Sequence, residues 1–198
     1  IADTAVTINL GDHEKLCEAA QKALDAAISV VKPEQVVSEI GKVVEETITS
    51  YGFKPIVNLT GHGLGRYSLH HGLSIPNTGL FGTGVLRNDS VIAIEPFATT
   101  GSGSVHEATR AEIYQVVGDA PVRSPTGRKI LKKADEMCGL PFSRRWLGIP
   151  KAELAIPTLL KQGNLYDYHV LSDVAGSFVA QFEHTVIVTE DEPIVTTL

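Results

Sequence analysis

Thirteen residues, TGHGLGRYSLHHG (60–72), carry three histidines, His62, His70 and His71, among glycines and leucines. Imidazole titrates near neutral pH and is the commonest metal ligand. Three acids stand elsewhere in apolar, strand-like company: Asp3 after Ile1 and Ala2, Glu95 at the end of VIAIE, and Glu183 within AQFEHTVIV. A charge in such a place is costly unless it is paired or ligates a metal. Side chains alternate across a strand, so 177–188 divides into Phe178, Phe182, Val186 and Val188 on one face and Gln181, Glu183 and Thr185 on the other. Two readings fit this pattern: the acids face solvent on an antiparallel sheet, or acids and histidines together hold a divalent ion. Mixed imidazole and carboxylate ligands suit Mn, Fe, Co or Zn. His62 and His70 would stand about 25 Å apart on a continuous strand. They reach one small site only if the chain bends, which Gly61, Gly63, Gly65 and Gly72 permit. A surface His71 and a hydrogen-bonded core His70 remain open at this level.

The elements that must position these groups are legible in outline. Residues 1–10, IADTAVTINL, alternate and are β-branched, which predicts a strand. Asp12 is a candidate N-cap for a helix placing Leu16, Ala20, Ala23, Leu24, Ala27 and Ile28 on one face. Pro33 suits the first turn of a second helix, running through Val37, Ile40, Val44 and Ile48 and stopped at Gly52. Residues 89–101 and 177–188 read as strands, 193–198 as a short final one, and 126–138 and 150–162 as helices. Strands and helices mix without a regular strand–helix–strand rhythm, which points to an α+β fold.

Acidic residues outnumber basic ones, 23 to 17, which disfavours nucleic acid or an anionic membrane as partner. The basic run 123–133 reads as the solvated face of an amphipathic helix. Cys17 and Cys138 lack metal-ligand spacing and read as reduced thiols in a cytoplasmic protein. No apolar run approaches a membrane span and no signal peptide opens the chain. The glycine runs GHGLGR and GSGSVHE lack the lysine of a phosphate loop. A strand already under way at Ile1 suggests the later part of a longer chain.

In order along the chain, IADTAVT, GHGLGRYSLHHG, IAIEPFATTG and AQFEHTVIV resemble the methionine aminopeptidases, in particular the archaeal members of the type 2 class. The resemblance covers Ile1 to Leu198. It implies a single catalytic domain over 1–198 of the pita-bread fold, a curved antiparallel sheet backed by helices. The type 2 helical insertion falls at about 107–165. It implies removal of the initiator methionine from nascent proteins by hydroxide activated between two divalent ions.

Carried over residue by residue, Asp3 and Glu183 match carboxylates that bridge both metals. His62 and Glu95 match ligands of one metal, and Glu95 is also the candidate for proton transfer. His70 matches the histidine that contacts substrate near the scissile bond, and Tyr168 falls where the family places an aromatic beside the methionine pocket. His71 departs from the family's small residue. The family's first ligand aspartate would precede Ile1, so four of five protein ligands are present and the 198-residue chain alone is expected to be inactive. The partners implied are nascent N-termini bearing Met before a small residue, near the ribosome, met by a monomer. Two rivals use the same fold: a prolidase-like Xaa-Pro hydrolase and a non-catalytic binding protein.

Overall fold

Every second residue of the opening segment turns inward. Asp3, Ala5, Thr7 and Asn9 are partly buried, while Thr4, Val6, Ile8 and Leu10 are exposed. The structure, a computed structural model, describes residues 1–198, side chains included except at 109 and 110. The alternation expected of a strand is therefore present, but the backbone ladder is not. One bridge forms, with the Ala5 N–H donating to Glu183 O at 3.4 Å and the Glu183 N–H to Ala5 O at 2.9 Å. Threonine hydroxyls take over the rest. Thr185 Oγ1 accepts the Asp3 N–H and donates to Asp3 O, both at 2.7 Å. Thr7 Oγ1 does the same for Gln181, both at 2.8 Å. Side-chain hydroxyls satisfy the backbone here in place of neighbouring amides.

In chain order the elements are α1 (Glu14–Ser29), α2 (Val37–Ser50), β1 (Lys54–Pro55), β2 (Thr60–Leu64), β3 (Ser74–Pro76), β4 (Val91–Ile94), β5 (Phe97–Thr99), β6 (His106–Val116), α3 (Pro125–Asp135), β7 (Phe142–Ser143), α4 (Ala152–Lys161), β8 (Leu165–Ser172), β9 (Val179–Gln181), β10 (His184–Ile187) and β11 (Ile194–Val195). His13 rather than Asp12 occupies the N-cap of α1, and no side chain caps it. Pro33 lies before α2 rather than in its first turn, because the chain turns at Glu34 (φ 63°) and the helix begins at Val37. Gly52, at φ 83°, ends that helix in the left-handed conformation that favours glycine.

The chain divides into two compact units, 1–106 with 172–198, and 107–171. In the first, α1 and α2 bury Leu16, Ala20, Leu24, Ile40, Val44 and Ile48 against Ile75, Ile92, Ile94, Ala180 and Val186 of the strands and Val188 just beyond β10. Phe182 packs beside this core, whereas Phe178 remains 51% exposed.

The strands of this unit form two antiparallel sheets, ordered β11-β10-β4-β2-β3 and β1-β5-β9. The expected single strands over 89–101 and 177–188 are each broken once, into β4 and β5 and into β9 and β10. The register is the same on both sides of the break: Ile94 pairs with His184 and Phe97 with Gln181. Carried across the gap, that register sets Glu95 opposite Glu183. Pro96 has no N–H to give a ladder, which is one physical reason for the interruption at this point.

The second unit has its own core of Tyr114, Ile130, Phe142, Leu147, Ile156 and Leu159. It holds a sheet ordered β7-β6-β8 with α3 and α4. Ser124 caps α3 by accepting the Gly127 N–H at 3.2 Å. The stretch expected as a helical insertion at about 107–165 is thus a mixed unit. Its strands were missed because β6 and β8 carry charged and polar residues that blur the alternation.

Candidate metal centre

The helix-facing side of the sheet takes the apolar residues of each strand, so the opposite side receives the odd-numbered ones. Ala93, Glu95, Gln181, Glu183 and Thr185 share it. His62 joins them because β2 lies beside β4, with His62 paired to Ala93. That approach is close: a Cβ at Gly61 would stand 2.3 Å from the Ala93 carbonyl oxygen. The opening segment adds Asp3 from the other edge through the Thr185 and Ala5 bonds.

The result is a compact set of donors. His62 Nε2 lies 3.7 Å from Asp3 Oδ2 and 3.5 Å from Glu95 Oε1. Ligand atoms of Asp3, His62 and Glu183 all fall within 4.8 Å of one another. His62 Nδ1 lies 3.3 Å from the Gly63 carbonyl oxygen. With the proton on Nδ1, Nε2 keeps its lone pair for a metal.

Three carboxyls around one space repel one another. Burial, then the charges of Glu183 and Asp3, push the Glu95 carboxyl up to about 9. Burial, then Asp3, pushes Glu183 up to about 7. Burial and the neighbouring His70 lower His62, so its ring is held neutral. Among the described residues no lysine or arginine forms an ion pair with Asp3, Glu95 or Glu183. Buried oxygens in this number, beside a neutral imidazole and with no cationic side chain paired to them among the described residues, fit divalent cations.

Of the other histidines, His70 reaches the centre and His71 does not. Gly65 and Ser68 bridge a tight turn with Tyr67 at φ 55°, and the chain returns beside β2. This puts the His70 ring edge-on to His62, with centroids 4.4 Å apart. The returning strand needs glycine at 63, where a Cβ would stand 2.0 Å from the His71 carbonyl oxygen. His71 is exposed and borders a separate cleft of about 720 Å³ with Leu73, Arg87 and Ile92. Tyr168 belongs to the second unit. Its hydroxyl donates to Gln115 Oε1 at 2.7 Å and its ring meets Tyr166 edge-on at 5.0 Å.

Two polar neighbours received no role from the sequence. Thr185 ties Asp3 into the sheet, and the Gln181 carboxamide donates to Glu95 Oε2 at 3.1 Å and Glu183 Oε2 at 3.4 Å. The alternation of 177–188 put both on the polar face, and only their partners were hidden.

Fold and site define a metalloprotein in which an antiparallel sheet carries buried carboxylates and an imidazole on its polar face. The sequence profile of metallopeptidase family M24 matches residues 1–190, and the chain belongs to that family. It is a metal-dependent hydrolase of the pita-bread fold. It is 48% identical over 199 residues to a methionine aminopeptidase of Archaeoglobus fulgidus, a match covering the whole of this chain and 68% of that protein. Among solved structures, a methionine aminopeptidase from Thermotoga maritima superposes with a TM-score of 0.62 at 26% identity, over 98% of this chain and 57% of that one. A thermophilic Arx1 superposes with a TM-score of 0.83 at 19% identity, over 98% of this chain and 62% of that one, a likeness of fold alone.

Proposed function

We infer that this chain works as a metalloaminopeptidase that removes the initiator methionine from nascent proteins. The observation that carries this reading is the convergence of Asp3, His62, Glu95 and Glu183 on one buried space, in a chain 48% identical to a methionine aminopeptidase. That identity is also the reason to prefer it over an Xaa-Pro hydrolase or a non-catalytic pita-bread protein.

Two divalent ions, of Co, Mn, Fe or Zn, belong in this space. Asp3, His62, Glu95 and Glu183 would hold them. Bound there, they supply Lewis acidity and water of lowered pKa. The chain's own groups do the rest. Glu95, ionised once divalent ions displace its proton, would take the proton of the attacking water and return it to the leaving amine. His70 stands edge-on to His62, free to hydrogen-bond the substrate as negative charge develops at the carbonyl. The substrates are N-termini with Met before a small residue, met in the cytoplasm near the ribosome by a monomeric enzyme.

The test is release of free methionine from a Met-Ala-Ser peptide, with Mn²⁺ or Co²⁺ added, by the full-length protein. Methionine release with no cleavage of an Ala-Pro peptide is expected, and Glu183→Ala should lower it by about 100-fold or more. Cleavage of Ala-Pro alone, or a Glu183→Ala variant as fast as wild type, overturns the reading.

A further inference from the structure

Glu95 and Glu183 face each other across an antiparallel pair, where like charges directly opposite are destabilising. What lies between them is a neutral side chain. The Gln181 carboxamide is one strand position along from Phe182 and two from Glu183, on the same face. Its Nε2 reaches Glu95 Oε2 at 3.1 Å and Glu183 Oε2 at 3.4 Å. With both acids ionised, as a bound cation requires, only the NH2 end of the amide can donate to them, which fixes the amide orientation.

We propose that Gln181 is the positioning residue of the metal centre, holding the carboxyls of Glu95 and Glu183 in ligating geometry by one amide shared between them. The division of oxygens supports this. Glu95 gives Oε2 to the amide and turns Oε1 toward His62 Nε2, 3.5 Å away. Each hydrogen bond removes a rotational freedom that an incoming ion would otherwise have to freeze.

The backbone under Gln181 is itself anchored. Its N–H and C=O both bond to Thr7 Oγ1 at 2.8 Å, and Phe97 pairs with it across the sheet. The amide therefore hangs from the same opening segment that delivers Asp3.

Neutrality is the second half of the argument. A lysine or arginine at this position would also satisfy both carboxylates, but its charge would compete with a divalent cation for the same negative field. A carboxamide supplies the hydrogen bonds and leaves the charge of the acids to the metal. Asn77 adds a second neutral amide at this strand, donating to the Glu95 main-chain carbonyl at 3.4 Å.

This proposal rests on the metallopeptidase reading, and its test separates the two. Full-length protein stripped of metal is titrated with Mn²⁺ and with Co²⁺ by calorimetry, and the visible absorption of the Co²⁺ form is recorded. Gln181→Leu should weaken binding of both ions by about 10- to 100-fold and alter the Co²⁺ spectrum. Gln181→Lys should fold and melt at least as high as wild type without metal, yet bind both ions about 100-fold more weakly. Wild-type affinity and an unchanged Co²⁺ spectrum in Gln181→Leu overturn the positioning role. Should Gln181→Leu not fold, wild-type affinity and an unchanged Co²⁺ spectrum in Gln181→Met, which cannot donate to either acid, overturn it instead. Failure of the wild-type protein to bind either ion sinks the metallopeptidase reading, and the role of Gln181 with it.

Discussion

Glu95 and Glu183 show how a sheet makes an acid hold a proton. Each lies on the polar face, yet each is screened from water and faces the other, so their carboxyls rise to about 9 and about 7. A divalent ion must displace these protons before it binds. The sign follows directly: below about 7 both acids keep protons and compete with the ion, while above about 9 neither does. The apparent affinity for Mn²⁺ should therefore climb steeply below about 7, where two protons are displaced, more gently from there to about 9, and level off above it, with proton release on binding shrinking in parallel. Calorimetry in buffers of different ionisation enthalpy measures both quantities. An affinity flat across that window would show that the acids are already ionised in the metal-free protein.

At the scale of elements, the loop after β5 is held by one buried acid. Asp173 accepts from Thr99 Oγ1 at 2.8 Å, from the Ser102 N–H at 3.0 Å, from the Ser102 hydroxyl, and from the Val174 N–H at 2.6 Å. Burial alone would raise this carboxyl, but the bonds from Ser102, Val174 and Thr99 outweigh it and hold it well below the usual aspartate range. A depressed folded pKa stabilises the fold above the unfolded value near 3.8, and that contribution is lost as pH falls through the folded one. Asp173→Ala would orphan buried donors and is expected to cost about 3 kcal/mol at neutral pH. The difference from wild type should shrink in acid below the unfolded pKa. Urea unfolding at pH 7 and pH 3 reads both effects. The neighbouring Gly101 leaves no room for rearrangement, since a Cβ there would stand 2.4 Å from Asp173 Oδ2.

For the molecule as a whole, an ion that ties Asp3, His62, Glu95 and Glu183 together ties the opening segment to β2, β4 and β10. Ligand binding to the folded state alone stabilises it by about 2.7 kcal/mol at a free concentration 100 times Kd. Melting temperature should rise with Mn²⁺ concentration and fall on chelation. Amide exchange should slow in β2, β4 and β10 and not in residues 107–171, which have a core of their own. Uniform slowing in both units would contradict a site confined to the first.

The sequence by itself settled which residues share a face. The helical spacing of Leu16, Ala20, Ala23 and Leu24 marked a buried stripe, and the alternation of 177–188 put Gln181, Glu183 and Thr185 on the polar side. These are short-range consequences of 3.6- and 2-residue periods, and local chain geometry fixes them. The resemblance carried by the ordered motifs then named the donors. The tertiary structure decided which distant residues stand opposite one another. It broke the strands at Pro96 and Phe182, set Glu95 facing Glu183, folded His70 back onto His62 through the Gly65–Ser68 turn, and left His71 outside. It also built 107–171 as a mixed unit with a separate core. Pairing between remote strands depends on how cores pack and how ladders close, and no spacing along the chain records that.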